Sequence, residues 1–591
     1  MTFDDPYYHL HDEDYAAPFA KVRAVHADMI AMGGRKRIPL SGTWRFTTDL
    51  FDEGLRQKWY RDPPDTPADW RIPRDYEDAA ADLVPVPSCW TVQKPEWRYF
   101  EGSGWYVRHF SFPPAHHGER VFLRVGAANY QAIVFLNGIF LASHRGGSTP
   151  FFIDVTAHLQ PGDNRLMIAV DNRRRPERVP MHHCDWFNHG GLYREVDLVV
   201  VPAVFIKDIV VTLVPDGSFG TIAAHVEISE ALDSAVDLAI PELGIAARIP
   251  VTAGRGTLRL AARPELWSPA TPRLYEVEAR LGGDVVRERI GFREIKVRGH
   301  EILLNGQPLY LRGICVHEDD AELGKATTEA DLRRRFTHVR ELGANFVRLA
   351  HYPHHERAAE LADELGILLW EEIPVYWAID FANPGTYADA ENQLLEMIRR
   401  DRNRASVIIW GVGNENADTD ARYAFMSRLA HAARGADPTR LISAACLINR
   451  QTFCIEDRLA ADLDVIGLNE YFGWYEPDMT GLERLIENSR PGKPVVISEC
   501  GADAEAGHIG APGALFSEEH QVDVFRRQLQ ILARADYVQG FCPWIMYDFQ
   551  TERRHTRHQR GWNRKGLIAG DKATKKRAFH FLAEHYRSLN R

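Results

Sequence analysis

Cysteine is scarce in this chain and never patterned. Seven are spread over 591 residues: Cys89, Cys184, Cys315, Cys446, Cys454, Cys500 and Cys542. The number is odd and no pair has C-x-x-C spacing, which argues against a disulfide framework or a thiolate zinc site and fits reduced, mostly buried thiols in a cytoplasmic protein. Long apolar runs are missing too, so no transmembrane helix and no membrane partner are expected. Met1 to Met32 is polar and acidic, without the charged and apolar regions of a secretory signal. Positive charge is in deficit: 71 Lys and Arg stand against 82 Asp and Glu, for a net charge of −11. That balance argues against nucleic acid or an anionic membrane as a general partner. His182-His183, His354-His355 and His555 lack H-E-x-x-H spacing and read as solvated or packed loop residues, so no metal and no cofactor are expected. Repeats and low-complexity tracts are absent from the sequence.

Two short segments stand out from this ordinary background. Val407-Ile-Ile-Trp-Gly-Val-Gly-Asn-Glu415 and Val495-Val-Ile-Ser-Glu499 are β-branched runs that stop at a carboxylate. Continuous Val/Ile runs read as strands buried on both faces, as in parallel sheets. A carboxylate at the C-terminal end of such a strand occupies the position where barrel enzymes place their chemistry. Two carboxylates facing each other across a bond are the basic apparatus of glycoside hydrolysis.

The length calls for several domains. Residues 1–37 read as an extension without a core of its own. Residues 38–202 show many short strands, among them 43–47, 105–112, 120–125, 132–136 and 165–170, with turns such as Asn137-Gly138; this predicts a jelly-roll β-sandwich. Residues 203–295 predict a smaller, immunoglobulin-like β-sandwich, with strands at 206–213, 223–228, 246–251, 256–261 and 274–281. From 296 to 591 the pattern changes to strands alternating with helices. Eight strands are predicted at 310–316, 346–350, 367–372, 407–411, 441–445, 465–469, 495–499 and 538–545, with helices such as 329–342, 387–400, 420–434 and 518–533. That is a (β/α)8 TIM barrel, and helix residues such as Leu394, Met397 and Ile398 belong to its core.

A barrel enzyme collects polar residues just after its strands, and this sequence does so. The predicted strand ends run into His317-Glu-Asp319, His351-Tyr352, Glu371-Glu372, Asn414-Glu415, Asn469-Glu-Tyr471, Glu499, and Trp544 with Tyr547-Asp548. Aromatic rings suit the C–H faces of a sugar, and Asn, His and Asp suit its hydroxyls. With these residues the chain resembles glycoside hydrolase family 2, the group of β-galactosidases, β-glucuronidases and β-mannosidases, over about residues 38–591. Trp410-Gly-Val-Gly-Asn-Glu415 resembles the family's acid/base motif. Ile497-Ser-Glu499-Cys-Gly-Ala resembles its nucleophile motif, with Cys500 where the family more often has an aromatic. The resemblance implies a retaining mechanism with Glu499 as nucleophile and Glu415 as acid/base. It also implies that Asn414 bonds the sugar 2-hydroxyl and Tyr471 the nucleophile. A non-catalytic carbohydrate-binding scaffold is the competing class, and the presence of both carboxylates argues against it.

Within the family the nearest likeness is to β-glucuronidases. Asn469-Glu-Tyr-Phe-Gly-Trp-Tyr475 is similar to their sixth-strand segment, with Glu470 where they carry arginine. Asn563-Arg-Lys565 matches the Asn-x-Lys motif that grips the sugar carboxylate, and Tyr475 is a further implied carboxylate contact. Lysine supplies charge and asparagine a directed donor, both suited to an anionic C6 group. Asp185, in Asp185-Trp-Phe-Asn188, is implied to bind hydroxyls far from the anomeric carbon, and His351 and Asp319 are implied near the sugar, as is Trp544. Residues 553–565 carry six Lys/Arg and two His against no acid, apt for an anionic substrate. Glucuronidases usually have arginine four residues before the motif asparagine; that position is Gln559 here, with Arg560 one step later. Three glycones stay open: β-glucuronide, neutral β-galactoside and β-galacturonide. An exo-acting pocket is expected, and the resemblance allows a homo-oligomer.

Overall fold

The computed structural model describes residues 16–61, 76–113, 118–511 and 513–589; residues 1–15 of the extension expected before residue 38 lie outside them. The chain forms two compact units. One comprises Met1–Met29, Lys36–Arg173 and His189–Ala203; the other comprises Ile30–Arg35, Arg174–Asn188 and Val204–Arg591.

The first unit is an antiparallel β-sandwich. Among its described residues, one sheet orders Asp82–Val86, Gly42–Asp49, Ser103–Phe112, Gly162–Asp171, Gln131–Leu136 and Ile139–Arg145; the other orders Lys36–Pro39, Val196–Pro202, Glu119–Val125 and Phe151–Asp154. Trp44, Phe46, Tyr106, Val134 and Ile168 point between the sheets with Leu123 and Leu198. The larger sheet is also covered on its other face, because Trp105, Val107, Phe135 and Met167 form a second cluster with Trp59, Tyr60 and Tyr76. Period-two alternation predicts one polar face, and the aromatic residues before Gly42–Asp49's partner strands override it. The described end of the extension joins this cluster: the Phe19 ring lies 5.4 Å from Phe135 and 4.9 Å from Phe140.

In the second unit, a seven-stranded antiparallel array runs Ile206–Leu213, Thr221–Ile228, Arg255–Ala261, Ile245–Thr252, Ser234–Ile240, Tyr275–Leu281, Asp284–Ile290. Only two residue pairs, Val251 with Gly256 and Thr252 with Arg255, join its halves. The array therefore behaves as an immunoglobulin-like sandwich whose halves share one core, with Ile209 and Val211 packed in the cluster of Val277 and Val286.

A small sheet, Ile295–Arg298, Glu301–Leu304 and Gln307–Pro308, then precedes the barrel, and its Ile295, Ile302 and Leu304 enter the barrel's inner core. The barrel is closed by eight parallel strands: Leu311–Val316, Phe346–Leu349, Leu368–Glu372, Val407–Asn414, Leu441–Cys446, Val465–Asn469, Val495–Glu499 and Val538–Phe541. All eight expected strands are present; four bounds differ by one residue and two by three or more. The fourth continues three residues past 411, and the eighth ends at Phe541 rather than 545, because Pro543 lacks the N–H a ladder needs. The helix Glu329–Leu342 matches its prediction; Thr328 and Asp331 form a capping box at its start, and Gly343 closes it at φ 78°. After the fifth strand the connector holds a single 3-10 turn, Arg458–Ala461, in place of an α-helix. Among the described residues, no helix is long and apolar enough to cross a membrane.

Candidate active site

Strand parity builds the site from the second strand outward. Phe346 and Ala350 face the barrel interior, while Val347 and Leu349 face the helices. Arg348, between them, is therefore aimed inward, and it is fully buried. Its Nη1 donates to Glu499 Oε1 at 2.8 Å, its Nε and Nη2 donate to the Glu372 carboxylate at 3.0 and 2.9 Å, and Nη2 also donates to Asn414 Oδ1 at 2.7 Å. One guanidinium thus ties together the ends of the second, third, fourth and seventh strands.

Glu499 receives a second donor, the Tyr471 hydroxyl, on Oε2 at 2.6 Å. Burial pushes its carboxyl up to about 8; the Arg348 charge pulls down, the Glu415 carboxyl pushes up again, and the Tyr471 bond lowers it. Glu415 accepts from Trp377 Nε1 at 2.7 Å on Oε2 and from Asn469 Nδ2 at 2.9 Å on Oε1. Its backbone is left-handed, at φ 53°, a conformation that costs a non-glycine residue about 1–2 kcal/mol. Asn469 Nδ2 also donates to Asn414 Oδ1 at 3.1 Å. With Arg348 and Asn469 both donating, the Asn414 oxygen is fixed, and its NH2 group is buried with no partner among the described residues. Asn469 in turn accepts from Ser498 Oγ at 2.7 Å, which locks the sixth strand to the seventh beside Glu499.

His351 lies 2.8 Å from Glu372 through Nδ1, and its Nε2 is 3.6 Å from Glu499 Oε1. Burial first, then Arg348 and His354, hold it well below its ordinary pKa, so it is neutral. Trp544 stacks on it with ring centroids 4.9 Å apart.

A second cluster adjoins the first through Tyr471. Lys565 Nζ sits 5.6 Å from the Tyr471 ring, donates to the Tyr475 hydroxyl at 2.9 Å and pairs with Asp503 at 2.7 Å. Burial opposes its charge, but Asp503 outweighs burial and the ammonium is held above its ordinary pKa. Asn563 is buried, accepts from the Lys565 N–H at 3.2 Å and donates to Asp185 Oδ2 at 3.4 Å. Asp185 also accepts from Thr551 Oγ1 at 2.9 Å and from Arg554. Asp319 stands at the edge: its Oδ2 accepts the Gln550 N–H at 3.0 Å and so positions the segment that leads to Thr551.

The loop before the Asn-x-Lys segment departs from the expected pattern. Arg560 is exposed and turned to Glu505. Gln559 is buried and donates to Asp503 at 3.3 Å. Arg560 does not stand in for the arginine missing at 559. Glu470 is buried behind the seventh strand. Its N–H donates to the Glu499 carbonyl at 3.0 Å, Oε2 accepts from the Phe472 N–H and Gln528, and Oε1 has no partner among the described residues. Burial raises its carboxyl to about 8.

Sequence reasoning missed Arg348, Trp377, Asp503 and Arg554. For Arg348 a signal existed: a charged residue at an inward position of a buried apolar strand. Trp377, Asp503 and Arg554 lie in loops, where no period marks direction. Among the described residues, no group of three or more His, Cys, Asp and Glu converges to hold a metal ion.

Comparison with known proteins agrees with this geometry. Residues 295–590 match the description "Glycosyl hydrolases family 2, TIM barrel domain". The chain belongs to glycosyl hydrolase family 2. Residues 38–202 match the sugar binding domain of the same family, and residues 204–293 match a further family 2 domain. This family 2 hydrolase is similar to the β-glucuronidase of Paenibacillus borealis, with 31% identity over 91% of this chain and 94% of the relative. It is also similar to that of Felis catus, with 31% identity over 94% and 91%. Among solved structures it resembles an uncultured Clostridium sp. β-glucuronidase (TM-score 0.82, 28% identity, 95% of this chain and 99% of that one). It also resembles the Ruminococcus gnavus β-glucuronidase in complex with D-glucaro-d-lactam (TM-score 0.83, 26% identity, 95% and 100%).

Proposed function

We propose that this family 2 hydrolase is a retaining, exo-acting β-glucuronidase. The observation that carries the glycone is the place of Lys565. Its ammonium lies one aromatic ring from Glu499, since Tyr471 bonds the carboxylate with its hydroxyl and faces Lys565 with its ring. A sugar with its anomeric carbon at Glu499 would reach Lys565, Tyr475 and Asn563 with its C6 carboxylate. Asp185 and Asn563 would close the far end of the glycone, so only a terminal residue fits.

The mechanism follows from where charge is stable. Arg348 pairs with two carboxyls, Glu372 and Glu499. Burial raises the Glu499 carboxyl to about 8, and Arg348 and the Tyr471 hydroxyl are what stabilise its ionised form, the form that attacks the anomeric carbon. Glu415 donates its proton to the departing glycosidic oxygen. In the second step Glu415 takes a proton from water, the water attacks the anomeric carbon, and the Glu499 ester is released. Asn414 offers its free NH2 group to the 2-hydroxyl, which gains negative character in the transition state.

A second reading, a neutral β-galactosidase, is favoured by one observation: Asp503 already pairs with Lys565, and Gln559 replaces the usual arginine. The test is a paired assay on aryl β-glucuronide and aryl β-galactoside. Glu415→Gln and Glu499→Gln should each lower kcat at least ~10³-fold while sugar binding persists. Lys565→Ala should lower kcat/KM on the glucuronide ~10²-fold or more. The double variant Lys565→Met/Asp503→Asn, which leaves no buried charge unpaired, should do the same. Preference for the galactoside, with a mild effect of both lysine variants, would sink the glucuronide reading.

A further inference from the structure

The adjacent arginines Arg553 and Arg554 take different partners. Arg554 pairs with Asp185, and Arg553 takes an aromatic ring instead. Its guanidinium lies over the Trp377 ring, 4.5 Å from the centroid, and among the described residues it has no hydrogen bond or ion pair from that group. Trp377 is the residue that donates to Glu415, the carboxyl that meets the leaving oxygen, so its ring borders the leaving-group side. The ring is partly exposed and backed by Tyr376 at 4.5 Å, and its backbone is left-handed at φ 55°. That backing holds a flat platform next to the bond to be cleaved, with an unpaired cation on it.

The charges around this platform are of mixed sign but leave Arg553 uncompensated. Arg174 is close by, and Glu552 takes it up at 2.7 Å. His183 is held below its ordinary pKa chiefly by His182, then by desolvation, Arg553 and Arg174. A guanidinium held over a ring, with no anion among the described residues, presents its own plane and charge to a planar or pyranose ring carrying an acid.

We propose that Trp377 and Arg553 form a leaving-group subsite selective for an aglycone that carries a carboxylate. The inference deepens the reading of the same site, since it takes Glu415 as the acid that marks the leaving-group side. Its test compares 4-carboxyphenyl with 4-carbamoylphenyl β-glycosides, in both glucuronide and galactoside series, for the wild type, Arg553→Gln and Arg553→Glu. The quantity read is the ratio of kcat/KM for the acid over the amide, in which each aglycone's intrinsic reactivity cancels between variants. The ratio should fall about tenfold in Arg553→Gln and further in Arg553→Glu, and the wild-type ratio should shrink with added salt. An equal ratio in all three proteins would overturn the subsite. The ratio is read on whichever glycone series is cleaved, so a galactosidase outcome overturns the glucuronide reading and leaves the aglycone result standing. A further arm uses terminal β-uronides of a uronic acid and of a neutral hexose. An Arg553-dependent preference for the acidic disaccharide assigns the carboxylate to a saccharide, and one confined to aryl acids assigns it to an aromatic aglycone.

Discussion

Glu470 occupies a position where a charge is costly. It is buried, and among the described residues one of its oxygens has no partner and no cation pairs with it. Its carboxyl is pushed up to about 8, by burial above all. The sign of the consequence is fixed by linkage. Below the ordinary carboxylate pKa, both folded and unfolded chains hold the proton. Between that value and 8 only the folded chain does, so stability is lost as pH rises through this window. Glu470→Gln removes the loss: it should leave melting unchanged near pH 4 and stabilise by roughly 2 kcal/mol at pH 8. Thermal melts of both proteins across that range check it, and parallel curves would refute it. Because Glu470 precedes Tyr471 and bonds the Glu499 backbone, the alkaline limb of activity should move up in the same variant.

At the scale of elements, the barrel is held where its regular pattern lapses. The connector after the fifth strand lacks an α-helix, and a buried bidentate pair takes its place. Arg422 donates to both Asp457 oxygens, at 2.6 and 2.9 Å, and Asp457 caps the 3-10 turn by accepting the Leu459 N–H. Asp457→Ala strands a buried guanidinium and should cost about 3–5 kcal/mol. Hydrogen exchange should quicken first in residues 447–461; uniform acceleration across the barrel would contradict this local role. The same contrast explains what could be read beforehand. Strand runs such as 407–415 and 495–499 announce themselves because both faces are apolar and the run ends at a carboxylate. Glu415 and Glu499 are legible for that reason, Asn469 as a polar strand end, and the Asn563–Lys565 segment through its motif. The partners that set their chemistry were not. Asp503 meets Lys565 across 62 residues and Arg348 meets Glu499 across 151. No local period encodes such pairings, and Arg560 shows the hazard: one step along a loop turns a side chain from the pocket to solvent.

For the whole molecule, separate cores imply separate melting. The sandwich of the first unit is built on Trp44, Phe46 and Tyr106, while the barrel rests on its own strand and helix residues. A chain of this size should unfold calorimetrically in more than one transition. A uronic-acid ligand at a hundredfold excess over its Kd should stabilise only the transition of the unit that carries Glu415 and Lys565, by about 2.7 kcal/mol. A single transition, or equal shifts in both, would show that the units melt together.

On the proposed reading, the cations that meet the glycone do not stand alone: Lys565 pairs with Asp503, and Arg554 with Asp185. Such a pocket is a zwitterion, with almost no field at a distance. A uronate is then not drawn in from solution by this end of the site; it is admitted by exchanging partners, taking up donors that Asp503 and Asp185 already orient. A neutral hexose meets no repulsion there either, and what it lacks is an oxygen able to join the exchange. On that reading, recognition of the sugar acid becomes a question of register between preset dipoles, and long-range attraction is left to the Trp377 side, where Arg553 has no anion among the described residues.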